Sequence, residues 1–147
     1  MNNLQKKNLF ILIVVATLAT LPWLGFSDFN TKGEPREAIV SLTMLQQDNW
    51  ILPHNNGGEM AYKPPFFHWC IAATATVLGG MSEWAARFPS ALACILMLAW
   101  MYVYYTKRRD AGTALTASLI CLGCFEIFRA AHACRVDMVL TFCIVGA

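Results

Sequence analysis

Charge is what this chain has least of: 11 Lys and Arg and 9 Asp and Glu in 147 residues, 14% together, against 57% hydrophobic residues. That balance excludes an ordinary soluble domain, in which about a quarter of residues are charged, and makes the bilayer the default solvent. The formal net charge is only +2, so nothing points to a nucleic-acid partner. Internal repeats and low-complexity tracts are lacking. The six cysteines form no two-pair metal pattern: Cys121 and Cys124 stand close together without a second pair. Cys70, Cys94, Cys134 and Cys143 lie in or beside apolar runs, where cysteine packs as a small apolar residue. No small-x-small cleavage site follows the first apolar run, which is also too long for a signal peptide.

What is there is a set of apolar runs around one polar island. Asn8 to Phe26 is uncharged, follows Lys6 and Lys7, and at about 19 residues crosses a hydrocarbon layer of roughly 30 Å. The basic flank places the amino terminus in the cytoplasm. The cluster Lys107, Arg108, Arg109 is cytoplasmic by the same rule, so one crossing, not two, separates it from the outer loop. Two runs compete for that crossing. Phe88 to Thr106, about 19 residues, is long enough; Phe66 to Gly80, about 15 residues and interrupted by His68, has the length of an interfacial helix. Pro89 fits a first-turn proline of the second span. Ala111 to Phe128 then returns outward as a third span, and Met138 to Ala147, about ten residues, is too short to cross. It reads as a truncated fourth span. The expectation is an all-α integral membrane helical bundle, the amino-terminal module, residues 1–147, of a larger protein, with an outer loop over 27–87.

Within that loop, Glu34 to Gln47 has apolar residues at helical spacing (Ile39, Leu42, Leu45 and Val40, Met44) and acids Glu34 and Glu37 in its first turn, where they suit the helix dipole. Asn55, Asn56, Gly57, Gly58 is turn material. Trp23, Trp50, Trp69 and Trp84 fall near predicted boundaries, as an aromatic belt does.

Several of these stretches, in order, resemble the first outer loop of the C-type glycosyltransferases: Glu34-Pro35-Arg36-Glu37-Ala38 with Met44, Leu45 and Trp50 to Pro53, then Tyr62 to Pro65 with Trp69, then Gly80, Ser82, Glu83 and Arg87 to Leu92. Arg135 to Leu140 is similar to that family's second outer-loop motif. The branch is the bacterial one that includes aminoarabinose transferases of lipid A and relatives of protein O-mannosyltransferases. The resemblance implies transfer of a sugar from a polyprenyl-phosphate carrier, undecaprenyl phosphate in bacteria, to an acceptor on the outer face of the inner membrane. The acceptor would be lipid A, another glycan or protein. It also implies a Lys-Pro-Pro helix lying flat on the outer surface.

An acceptor hydroxyl is a poor nucleophile, so sugar transfer calls for a carboxylate base and for cations on the departing phosphate. Glu34 matches the acid of the family's Asp-Glu pair, with Gly33 where the Asp is often found, which leaves the role open between Glu34 and Asp28. Asp137 is the second acid, opening a membrane helix where a charge needs a partner or a task; Arg135 is the nearest partner. Lys63, held by two following prolines, is the first phosphate cation, and Arg87 and Arg135 are the further ones. The plainer alternatives are helix-start acids for Glu34 and Asp137, a snorkelling side chain for Lys63 and an interface anchor for Arg87. Arg36 is expected to pair with Glu83 or Asp137. His54, His68 and His132 invite a metal, and relatives hold one through a glutamate before the lysine; Tyr62 occupies that position here and Glu59 is out of register. No metal site is assigned, and use of a divalent metal stays open. His68 is expected to serve packing or hydrogen bonding. The rival functions are a lipid-phosphate transporter or flippase, which would carry charges deep within its spans, and a noncatalytic membrane subunit.

Overall fold

The computed structural model describes residues 1–29, 31–55, 58–61 and 63–147; the turn residues Asn56 and Gly57, and Tyr62, lie outside them. The described residues are helical apart from loops and one isolated bridge between His54 and Met60. The helices are α1 (Asn3–Thr20, continued by a tight turn over Leu21–Trp23), α2 (Gly33–Gln47), α3 (Phe66–Leu78), α4 (Glu83–Thr106), α5 (Ala111–Gly123), α6 (Phe125–Ala131) and α7 (Val136–Gly146).

Side-chain caps set the starts of α1, α4 and α5. Asn2 and Gln5 close a reciprocal capping box, each side chain accepting the other's backbone N–H at 2.8 Å. Ser82 caps α4 by accepting from Ala85 N at 3.1 Å, and Asp110 caps α5 by accepting from the N–H groups of Gly112 and Thr113 at 2.9 Å. At the other end of α3, Gly79 at φ 79° supplies the left-handed residue that a helix stop of this kind needs.

Helix α4 is the central element, touching α1, α3, α5, α6 and α7. It and α1 are long and apolar enough to cross a membrane, and α5 with α6 makes a third span if the bent pair counts as one. The protein is a multi-pass membrane protein. On α1, Leu12, Ala16 and Thr20 are buried at four-residue spacing while Phe10, Ile11, Val14 and Leu18 point outward, an apolar exterior that suits lipid. On α3, Phe67, His68, Ile71, Ala72 and Ala75 are buried and Phe66, Trp69 and Val77 exposed.

Two expectations need correction. Because the Ser82 cap starts α4 at Glu83, Pro89 lies in the second turn of the helix rather than its first, and Arg87 is carried into the bundle instead of sitting at its mouth. The run from Ala111 to Phe128 is not one straight span: Cys124 adopts an extended conformation (ψ 124°) after Gly123, and α6 leaves α5 at 70°. Glycine supplies no side chain to hold the helix together there.

Cross-contacts fix which ends meet. Tyr102 Oη donates to Gln5 O at 3.0 Å, and Asn8 Nδ2 to Ala111 O at 3.4 Å. These contacts bring Lys6 and Lys7 to the same end of the bundle as Lys107, Arg108 and Arg109. At the opposite end Trp84 Nε1 donates to Leu21 O at 3.1 Å and Ser90 Oγ to Arg135 O at 3.1 Å.

Candidate active site

Glu34 and Glu37 lie one turn apart on α2, and both are 2% exposed. A carboxylate taken out of water must be met by donors or it costs several kcal/mol, and each of these is met by a different set. Glu34 Oε1 accepts from Arg87 Nε at 3.0 Å and from the backbone N–H of Cys134 at 2.9 Å. Arg87, also 2% exposed, gives three further N–H groups to the chain leaving α1: Nη1 donates to Leu24 O and Ser27 O, both at 2.7 Å, and Nη2 to Asp28 O at 2.9 Å. The Phe29 ring lies 5.3 Å away. One ion pair therefore joins the loop after α1, the start of α2, the second turn of α4 and the junction of α6 with α7.

Glu37 is held by three basic groups. Its Oε1 accepts from Lys63 Nζ at 2.9 Å and Arg36 Nη2 at 3.1 Å, and its Oε2 from His68 Nε2 at 2.8 Å. Lys63 comes from the loop before α3 and His68 from α3's first turn, so Glu37 fastens α3 to α2. The other ring nitrogen of His68, Nδ1, is buried without a partner among the described residues, which leaves Glu37 to orient the ring. Burial pushes the Glu37 carboxyl up, but the hydrogen bonds from His68 and Lys63, the Lys63 charge and Arg36 outweigh it and bring it down from 4.5 to about 2. A folded-state value below the unfolded one stabilises the protein above about pH 4.5, and the contribution is lost as the pH falls toward 2, in all roughly 3 kcal/mol. In detergent micelles, the gap in melting temperature between the wild type and Glu37→Gln is expected to hold from pH 7 to 5 and to narrow steadily from pH 4.5 toward pH 2. A gap that does not change with pH would contradict the assignment.

The sequence-predicted residues gather at the end of the bundle away from Lys107 to Arg109. Glu34, Lys63 and Arg87 are linked through α2 as above. Arg135, next to the Cys134 that binds Glu34, pairs with Asp137 at 3.0 Å, with side chains 39% and 50% exposed. Asp28 is exposed and contributes its backbone carbonyl to Arg87. Arg87, expected to face a phosphate, is turned inward with four of its five N–H groups given to protein acceptors. Arg36 pairs with neither Glu83 nor Asp137 but with Glu37. Beside Glu34 opens a cavity of about 350 Å3 lined by Arg129, His132 and Arg135 with Phe125 and Phe128; Arg129 is paired with Glu126 at 2.7 Å. Among the described residues no group of three or more His, Cys, Asp or Glu is placed to hold a metal.

Sequence reasoning missed the part played by Glu37 and Arg36. The available signal was spacing: Glu37 follows Glu34 by three residues, so the two share a helix face, and a face that buries one acid at a membrane surface has reason to bury the other.

A bundle with lipid-facing α1 and α4 and two buried, cation-bound acids gathered at one end defines the class: a polytopic α-helical membrane module with its polar centre at a helix-end surface. The model of the dolichyl-phosphate-mannose-protein mannosyltransferase family matches residues 62–147, and the chain belongs to that family, in the aminoarabinose-transferase branch of the C-type glycosyltransferases. It is 34% identical over 71% of its length to the undecaprenyl phosphate-alpha-4-amino-4-deoxy-L-arabinose arabinosyl transferase of Pseudomonas savastanoi pv. phaseolicola, of which it covers 20%. It is 27% identical over 93% of its length to the enzyme of that name from an Enterobacter species, of which it covers 25%. The crystal structure of ArnT from Cupriavidus metallidurans bound to undecaprenyl phosphate superimposes with a TM-score of 0.81 at 26% identity, over 92% of this chain and 25% of that one; its apo form gives 0.84. The chain spans at most about a quarter of the length of these relatives.

Proposed function

We propose that this chain forms the amino-terminal part of a glycosyltransferase of the bacterial inner membrane, which passes a sugar from an undecaprenyl-phosphate carrier to an extracytoplasmic acceptor such as lipid A. The observation that carries the reading is the convergence of acids and cations drawn from residues 28 to 137 on one end of the bundle, opposite the basic Lys107 to Arg109 end. With that basic end in the cytoplasm, the polar end meets the outer surface, where a carrier headgroup and an acceptor can both reach it. In the displacement, Glu34 or Asp137 takes the acceptor's proton while Lys63 and Arg135 steady the leaving phosphate. Asp28 is the alternative base, and Arg87 serves by fixing Glu34. The charges lie at helix ends rather than deep in a span, which disfavours a transporter.

The test is reconstitution of the full-length gene product in vesicles with undecaprenyl-phosphate 4-amino-4-deoxy-L-arabinose, the donor in the relatives' names, and lipid A. Mass spectrometry is expected to find the acceptor heavier by one sugar. Movement of the carrier lipid across the bilayer with no acceptor modified, for this or a hexose donor, would favour a flippase instead.

A further inference from the structure

The transfer proposed above forms a bond between the acceptor oxygen and the anomeric carbon and breaks the one between that carbon and a phosphate oxygen. The bonding pair leaves on the phosphate, and the acceptor proton goes to the carboxylate base. The donor is therefore a phosphodiester with one negative charge, whereas the departing lipid is a phosphomonoester with about −1.5 to −2 at pH 7. A site built to bind the first and release the second has to limit its own positive charge.

At this end of the bundle, among the described residues, Asp137 with Arg135 and Glu126 with Arg129 each pair one carboxylate with one guanidinium. Glu37 is different. Lys63 and Arg36 share its Oε1 at 2.9 and 3.1 Å, and two cations on one carboxylate leave a single surplus positive charge. The layering is also particular: the Arg36 and Lys63 side chains are 44% and 29% exposed while Glu37 is 3% exposed beneath them. The cations can be touched from outside, and the anion that moderates them cannot.

We infer that Glu37 is a positioning residue that sets the charge of the phosphate site: it holds Lys63 and Arg36 together and reduces their joint charge to one, matching the donor's phosphodiester and leaving the product phosphomonoester only partly neutralised. The inference rests on the reading of Lys63 as a phosphate cation. Glu37 itself touches no substrate; it acts through the two side chains it holds.

Charge setting and plain structural support predict opposite signs. In the full-length protein, with undecaprenyl phosphate as the monoester probe and its methyl ester as the diester probe, Glu37→Gln is expected to bind the monoester about tenfold more tightly and the diester only about threefold more tightly. Product inhibition strengthens and kcat falls. Arg36→Met, which leaves Lys63 and His68 on Glu37, is expected to shift the monoester-to-diester affinity ratio the other way. A Glu37→Gln protein whose ratio is unchanged or lower overturns the inference. Should that variant not fold, Arg36→Met decides: a ratio equal to the wild type's overturns it. Lys63→Met separates the two levels, because wild-type monoester affinity in that variant would overturn the functional reading of Lys63 itself.

Discussion

Arg87→Met is expected to lower the stability of the folded protein by about 3–5 kcal/mol, the cost of leaving one member of a buried ion pair without the other. The substitution takes the cation from Glu34 at 2% exposure and releases three backbone carbonyls, of Leu24, Ser27 and Asp28, that the guanidinium gathers. Arg87→Lys should recover little of this, since an ammonium lacks the planar fork that serves four acceptors from one head group. Thermal melting in detergent checks the prediction. Because the loss is mostly that of the carboxylate's cation, Arg87→Met combined with Glu34→Gln should melt higher than Arg87→Met alone. A melting temperature within a degree or two of the wild type's, together with weakened binding of undecaprenyl phosphate, would return Arg87 to the phosphate-facing role that its place in the sequence suggested.

The contrast between Arg87 and Lys63 shows where sequence reasoning reaches and where it stops. The existence of α2 and α3 follows from local apolar spacing, and the basic clusters at Lys6, Lys7 and Lys107 to Arg109 foretell which helix ends lie together. The start of α4 does not follow from an apolar run, because the run begins at Phe88 whereas the helix begins at the Ser82 cap. Those few residues decide whether Arg87 is a surface anchor or a buried clamp. The bend at Gly123 and Cys124 was hidden for a related reason: the run from Ala111 onward is apolar on both sides of it, and hydropathy does not register a change of direction. At the site, the pair of Asp137 with its neighbour Arg135 was legible, but the pairings between elements were not. Arg36 finds the neighbouring Glu37, and Glu37 finds His68, only because α3 packs on α2, a tertiary fact that spacing along one helix cannot supply.

Glu34→Gln and Asp137→Asn are each expected to reduce kcat for sugar transfer in the full-length protein by roughly 100- to 10,000-fold, the usual contribution of a positioned general base or of an acid that supports it. The two variants carry different confounding effects, and that difference makes the pair informative. Glu34 is buried against Arg87 and the Cys134 N–H, so its replacement disturbs structure as well as charge, and a loss of activity there needs a melting curve beside it. Asp137 is half exposed and paired with Arg135 at the surface, where an ion pair contributes under about 1 kcal/mol. A large loss in Asp137→Asn with unchanged melting is therefore chemical. Asp28→Asn serves as the third arm: its backbone carbonyl still holds Arg87, so it should transfer sugar normally if Glu34 is the base and lose activity if Asp28 is. Wild-type transfer by both Glu34→Gln and Asp137→Asn would remove the acid pair from the mechanism. The converged cations would then be left to bind a lipid phosphate without chemistry, as in a noncatalytic lipid-binding subunit rather than a transferase.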